Sequence, residues 1–188
     1  MMIEDRIGSK PAPQPLRTVQ AFVNTSDVET GREDLATPRD LRQWLSEREL
    51  LKGDETFRDA DLRQAKELRA ALRQMLLANN SGASDPGAIG VMNRFARTAQ
   101  MVLTFKETGE AEVRPAAEGP DGALGRILAR VCASMADGTW QRLKACKQRE
   151  CLWAFYDRSK NHSGAWCAMS VCGNRTKARG YRNRSRGS

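Results

Sequence analysis

The sequence predicts an α+β chain: a mainly helical N-terminal domain with one small β-hairpin, followed by a C-terminal four-cysteine zinc finger. Three observations predict it. Apolar residues recur at helical spacing in five separate stretches. One β-prone run, "QMVLTF", is joined to "AEVRP" through the glycine-containing turn "KETGE". Four of the five cysteines fall in two Cys-x4-Cys brackets near the C-terminus.

The elements follow in order. "LRTVQAFV" places Leu16, Val19, Phe22 and Val23 on one face of a short helix that ends in turn formers. In "TPRDLRQWL", Thr37 can cap, Pro38 suits the first helical position and Asp40 can reach back, leaving Leu41, Trp44 and Leu45 as the buried edge. A long helix carries Leu62, Ala65, Leu68, Leu72, Met75 and Leu76 inward and is broken by "NNSGASDPG". Asp85 and Pro86 start the next helix, with Ile89, Met92 and Phe95 directed inward. After the hairpin, Asp121 is expected to cap a helix whose stripe is Leu124, Ile127, Leu128, Val131, Cys132 and Met135, with Gly138 ending it. Cys132 therefore reads as a buried thiol.

At 188 residues the chain can bury one core of ordinary size, plus a satellite too small to stand alone. Residues 1–15 read as a flexible N-terminus, 16–139 as the helical domain and 140–186 as the cysteine module with its basic tail. No apolar run suits a signal peptide or a membrane span, so the expected location is the cytoplasm, where bracketed cysteines are metal ligands more often than disulfides. From Trp140 onward there are twelve Lys and Arg against Glu150 and Asp157, a net charge of +10; the preceding residues sum to −2. Such asymmetry points to a polyanionic partner.

The brackets are Cys146, Cys151, Cys167 and Cys172. Two close thiolate pairs with a folded stretch between them suit one tetrahedral structural Zn²⁺. The intervening "LWAFYDRSKNHSGAW" alternates Trp153 and Phe155 with polar neighbours, turns at "RSKNHSG" and returns through Trp166, which predicts a hairpin beside the metal. His162 falls in that turn and reads as exposed. Four sulfurs would close the zinc shell and leave no open position for water, and no nucleophile-histidine arrangement is available beyond His162, so the expectation is not an enzyme. If a helix begins near Cys172, then Arg175, Arg179, Arg182 and Arg186 share one face, with Lys177 and Arg184 flanking and Gly180 limiting its length.

At these residues the chain resembles the CGNR zinc finger, named for the tetrad Cys172-Gly173-Asn174-Arg175. The upstream "FVNT" and "PRDLRQWL", the long arginine-containing helix and the hairpin-then-helix order resemble the ABATE domain that accompanies this finger in bacterial proteins described as stress-induced transcription regulators. The resemblance implies zinc on the four cysteines, a DNA-binding C-terminus and an N-terminal domain that senses a ligand or partner. One departure is "SGAW" before Cys167, where a basic pair is expected.

Candidate nucleic-acid contacts are Asn174, Arg175, Lys177, Arg179, Tyr181, Arg182, Arg184 and Arg186. Asn174 could equally cap the turn after Cys172, and Tyr181 could equally cover the zinc hairpin. Asn24 and Thr25 are the upstream residues nominated for a small ligand, with local capping as the competing role. DNA is the expected partner. Structured RNA is the alternative, with Trp153, Phe155, Trp166 and Tyr181 stacking on bases, and a zinc-shaped protein-interaction surface is a third reading. A homodimer suits a small reader of duplex DNA, although no heptad seam is present.

Overall fold

The computed structural model describes residues 10–177. The elements run α1 (Leu16–Val23), β1 (Ser26–Asp27), β2 (Arg32–Glu33), α2 (Pro38–Ser46), α3 (Asp59–Ser81), α4 (Pro86–Thr98), β3 (Met101–Phe105), β4 (Ala111–Pro115), α5 (Gly119–Ala136), β5 (Leu143–Ala145) and β6 (Ala154–Tyr156). The strands form three separate antiparallel pairs, β1 with β2, β3 with β4 and β5 with β6. The predicted α+β, mainly helical architecture is what forms.

Local chemistry explains the helix boundaries. Thr37 and Asp40 form a reciprocal capping box, the Asp40 N–H donating to Thr37 Oγ1 at 3.2 Å and the Thr37 N–H to Asp40 Oδ2 at 2.8 Å. Asp85 accepts from the N–H groups of Gly87 and Ala88 at the head of α4. Gly82 and Gly138 follow α3 and α5 with φ of 78°, the left-handed conformation that ends helices without a Cβ penalty.

The long helix α3 is the spine of the core, packing against α1, α2, α4, α5 and β5. Its Leu68, Leu72 and Leu76 are fully buried with Leu16, Phe22, Leu41, Leu45, Leu124 and Ile127. Burying each such side chain stabilises the fold by about 1.5–3 kcal/mol. Phe22 and Trp44 join α1 to α2 through tilted rings with centroids 5.4 Å apart. Gly125 lets α5 approach the hairpin: a Cβ there would lie 2.7 Å from the Cβ atoms of both Ala99 and Pro115.

Several expectations are corrected. Ile89 faces outward on α4, and Ala88 takes its place inside with Phe95. The start of α5 lies at Gly119, so Asp121 sits in the first turn rather than at the cap. Cys132 and Met135 are exposed while Ser134 is buried, because the described elements cover only one side of the last turns of α5. Within the segment read as a flexible end, Lys10 lies against β6, where its carbonyl accepts from the Tyr156 N–H at 2.9 Å, and Ala12 is buried, its N–H donating to Gln20 Oε1 at 2.7 Å. No helix among the described residues is long and apolar enough to cross a membrane.

Candidate metal centre and the basic helix

The first cysteine pair is made by a strand pair. β5 ends at Ala145, so Cys146 follows it directly, and the chain turns back through Gln148 to present Cys151 before β6. The turn is closed by the Cys151 N–H donating to the Gln148 carbonyl at 2.9 Å and the Cys146 N–H to the Trp153 carbonyl at 3.0 Å. Leu152 leaves it at φ 52°, a left-handed conformation that a leucine adopts only where its surroundings enforce it. The expected hairpin is therefore present but lies elsewhere. β6 pairs backward with β5, with Ala145 opposite Ala154, and not forward with the segment at Trp166. The alternation read from "WAFY" fails for the same reason, since Trp153 through Asp157 are all buried between the metal cluster and the helical core.

The second pair is held by a buried ion pair that the sequence reading missed. Lys144 Nζ lies 2.8 Å from Asp157 Oδ2, with the two side chains 4% and 2% exposed. Lys144 also donates to the carbonyls of His162 and Gly164, while Asp157 accepts from the N–H groups of Ser159 at 3.0 Å and Gly164 at 2.8 Å. Burial opposes the charge on Asp157, but the Lys144 ammonium and these N–H donors outweigh it and hold the carboxyl well below the usual range. Their combined effect is to fold residues 157–165 into a braced loop that delivers Cys167. Gly164 is required there, because a Cβ would lie 2.6 Å from Asp157 Oδ1.

Cys172 sits in a π-helical turn, Met169–Gly173, in which the Gly173 N–H reaches the Ala168 carbonyl at 3.2 Å. The helix continues through Lys177. Thr176 ties it to the first bracket, its hydroxyl 3.2 Å from Gln148 Oε1 and 2.9 Å from the Cys172 carbonyl.

All four sulfurs are buried and lie within 4.8 Å of one another. Cys151 to Cys167 and Cys167 to Cys172 are each 3.7 Å. Tetrahedral Zn²⁺ with Zn–S bonds of about 2.3 Å requires sulfur separations of about 3.8 Å, whereas a disulfide requires about 2.05 Å. The donor set thus fits one structural zinc ion and no disulfide. Without a cation the set cannot ionise fully. Contacts from Cys151 and Cys167, with the N–H groups of Cys167 and Gln148, hold the Cys146 thiol far down. The Cys146 and Cys151 contacts push Cys167 up, and burial followed by the Cys146 charge pushes Cys172 up to about 12. When bound, zinc supplies the positive charge that lets four buried thiolates coexist. Trp153, Phe155 and Ala168 cover the cluster, with Trp166 and Val171 partly buried against it.

Of the nominated nucleic-acid residues, Asn174, Arg175 and Lys177 are exposed on this terminal helix. Asn174 Nδ2 donates back to the Ser170 carbonyl at 3.1 Å. Arg175 pairs with Glu29 from the β1–β2 turn. Arg179, Tyr181, Arg182, Arg184 and Arg186 lie outside the described residues. His162 is exposed, as expected.

Asn24 and Thr25 are buried and occupied by protein partners. Asn24 holds Ala154, and Thr25 Oγ1 donates to the Phe22 carbonyl at 2.8 Å and accepts from Arg69 at 2.9 Å. Arg69 in turn grips Glu33 with both nitrogens, at 2.7 and 2.5 Å. Asn79 and Asn80, read only as helix breakers, belong to α3 and clamp the finger. Asn79 Nδ2 donates to the carbonyls of Trp140 and Leu143, both at 2.9 Å. Asn80 Nδ2 donates to those of Ala145 at 2.9 Å and Ala165 at 3.1 Å. The only trace of this in the sequence is a pair of amides one turn past the last core leucines.

Two family models match the chain. The CGNR zinc finger model matches residues 142–185, which contain all four sulfurs. No curated protein matches the chain. The ABATE model, described as "Putative stress-induced transcription regulator", matches residues 16–138, so the chain belongs to the ABATE family and carries a CGNR zinc finger behind that domain.

Proposed function

We propose that the protein is a zinc-dependent, DNA-binding transcription regulator of the bacterial cytoplasm, stress-related in keeping with its family, and that it works by binding rather than by catalysis. One observation carries the reading: Cys172 shares a helix with exposed Arg175 and Lys177, so the metal that fixes the sulfur also aims the first cations of the basic tail. The buried Lys144–Asp157 pair cancels itself, and the net charge from Trp140 onward remains +10. Four thiolates and one Zn²⁺ subtract two, which leaves the finger strongly cationic.

In this reading the tail neutralises phosphates, and Asn174, Arg175 or Arg179 reads base edges. The N-terminal domain serves as the sensing element. Burial of Trp153 and Phe155 argues against the RNA alternative, because neither ring can stack on a base while it covers the metal. The test is a fluorescence titration of the zinc-loaded chain against duplex DNA and single-stranded RNA at several salt concentrations. With about five phosphate contacts, log affinity should fall with log salt at a slope of roughly −4 to −5. A slope near zero, or preferential displacement of duplex by RNA, defeats the proposal.

A further inference from the structure

Cys132 is exposed on α5 and opens onto space beside the helix. A groove of about 580 Å³ runs along that side of the helix from Arg126 to Ala136, bounded by the β3–β4 hairpin and by the loop carrying Glu49, Leu50 and Lys52. Its volume falls within the range of small-molecule sites, about 300–1,000 Å³. Ten residues of helix give it a length of about 15 Å.

Its two halves differ chemically. Toward the start of α5 stand Arg126 and Arg130, with Arg114 of β4 in the same lining. Arg126 Nη1 is held by the Leu50 carbonyl at 2.7 Å. Arg130 is half-buried and makes no hydrogen bond among the described residues; burial depresses its basicity, and Glu49 is the nearby charge that opposes the depression. Two further charges of the lining have partners of their own, Lys52 with Glu118 at 3.9 Å and Glu112 with Lys106 at 3.2 Å. The lining thus carries four cationic side chains, Lys52, Arg114, Arg126 and Arg130, against the carboxylates of Glu49 and Glu112. Toward the end of α5 the lining turns apolar, with Ala133 and Ala136 on the helix and Leu103 on the hairpin. Leu103 pairs across the hairpin with Val113 and is 60% exposed. A partly desolvated guanidinium without an acceptor, next to an uncovered apolar wall, complements one kind of molecule.

We propose that this groove binds an amphipathic organic anion, an aliphatic or aromatic carboxylate whose charged end meets Arg130 and whose apolar body lies along α5 between Ala133 and Leu103. The site is separate from the finger and does not rest on the nucleic-acid reading. Its occupancy would change the apolar cover of α5, a helix that also packs on α1, and α1 meets β6 of the finger.

Calorimetric titration of the zinc-loaded full chain tests this, with decanoate as the probe and decanol and decyltrimethylammonium as uncharged and cationic controls. Decanoate should bind at one site, at least about tenfold tighter than decanol, since the carboxylate alone can make a charge-assisted hydrogen bond to Arg130. Arg130→Gln should remove that preference without changing the thermal midpoint, and Ala133→Trp should fill the groove and abolish binding with zinc content retained. Equal binding of decanoate and decanol, an unaffected Arg130→Gln, or no saturable heat up to millimolar probe overturns the proposal. So does sedimentation showing a dimer that Ala133→Trp converts to monomer, because the groove would then be an interface between copies.

Discussion

One side chain at the end of α1 satisfies both backbone groups of Ala154 in the finger: Asn24 Oδ1 accepts from the Ala154 N–H at 2.8 Å, and Asn24 Nδ2 donates to its carbonyl at 3.0 Å. Asn24 thus acts as the partner strand that β6 lacks on that edge, and it does so between the two cysteine brackets. Gln20 Nε2 adds a second donor to the same carbonyl at 3.1 Å.

Asn24→Ala should leave the Ala154 N–H buried without an acceptor, while Gln20 still serves the carbonyl. The expected cost is about 1–3 kcal/mol. Urea unfolding with zinc present measures it, and a shift below about 0.5 kcal/mol would show that water replaces the amide.

Chelation of zinc should release the finger unevenly. The brackets and the helix after Cys167 depend on the metal, whose contribution in small finger peptides is on the order of 10 kcal/mol. β5 and β6 are also held from behind by Asn24, Asn79 and Asn80. Hydrogen exchange with and without chelator should show the amides of Cys172 and Gly173 losing protection far more than those of Ala154 and Tyr156. Uniform loss across the finger contradicts this.

Lys144→Ala should strip a buried carboxylate of its partner and cost about 3–5 kcal/mol. The pH dependence follows from the lowered pKa of Asp157. Its contribution is fully present above the unfolded carboxyl pKa of about 3.9 and is lost as pH falls through the lower folded value. The stability gap between the native chain and Asp157→Asn should therefore be constant from neutral pH down to about pH 4 and narrow only below that. A gap already closing at about pH 6 would point to another group. Gly164→Ala, which forces a methyl against the same carboxylate, should cost about 1–3 kcal/mol.

Arg175 cannot grip a phosphate while it holds Glu29. Glu29→Gln should accordingly raise duplex affinity severalfold at low salt. Arg175→Gln should weaken binding and reduce the magnitude of the salt slope by about 1. The double variant should resemble Arg175→Gln alone; if Glu29→Gln strengthens binding even without Arg175, the pairing is not the cause.

Sequence alone determined the local and covalent parts of this protein. Helix boundaries at Thr37, Asp85 and Gly138 were legible because caps and glycines act within a turn of themselves, and the four ligands were legible because metal chemistry demands thiolates in close pairs. Most core positions of α1, α2 and α3 followed from their 3.6-residue period. Tertiary structure decided what periodicity cannot encode. It turned Cys132 and Met135 outward, since a helix stripe names a face but not how far its cover extends. It paired β6 with β5 instead of Trp166, in a strand pair that α3 packs against from behind and that no local pattern names. It also spent Asn24, Asn79, Asn80 and the Lys144–Asp157 pair on joining the finger to the helical core. Such contacts join polar groups far apart in the chain, from 13 residues to 130, and what makes them necessary is burial, a property that exists only once the chain has folded.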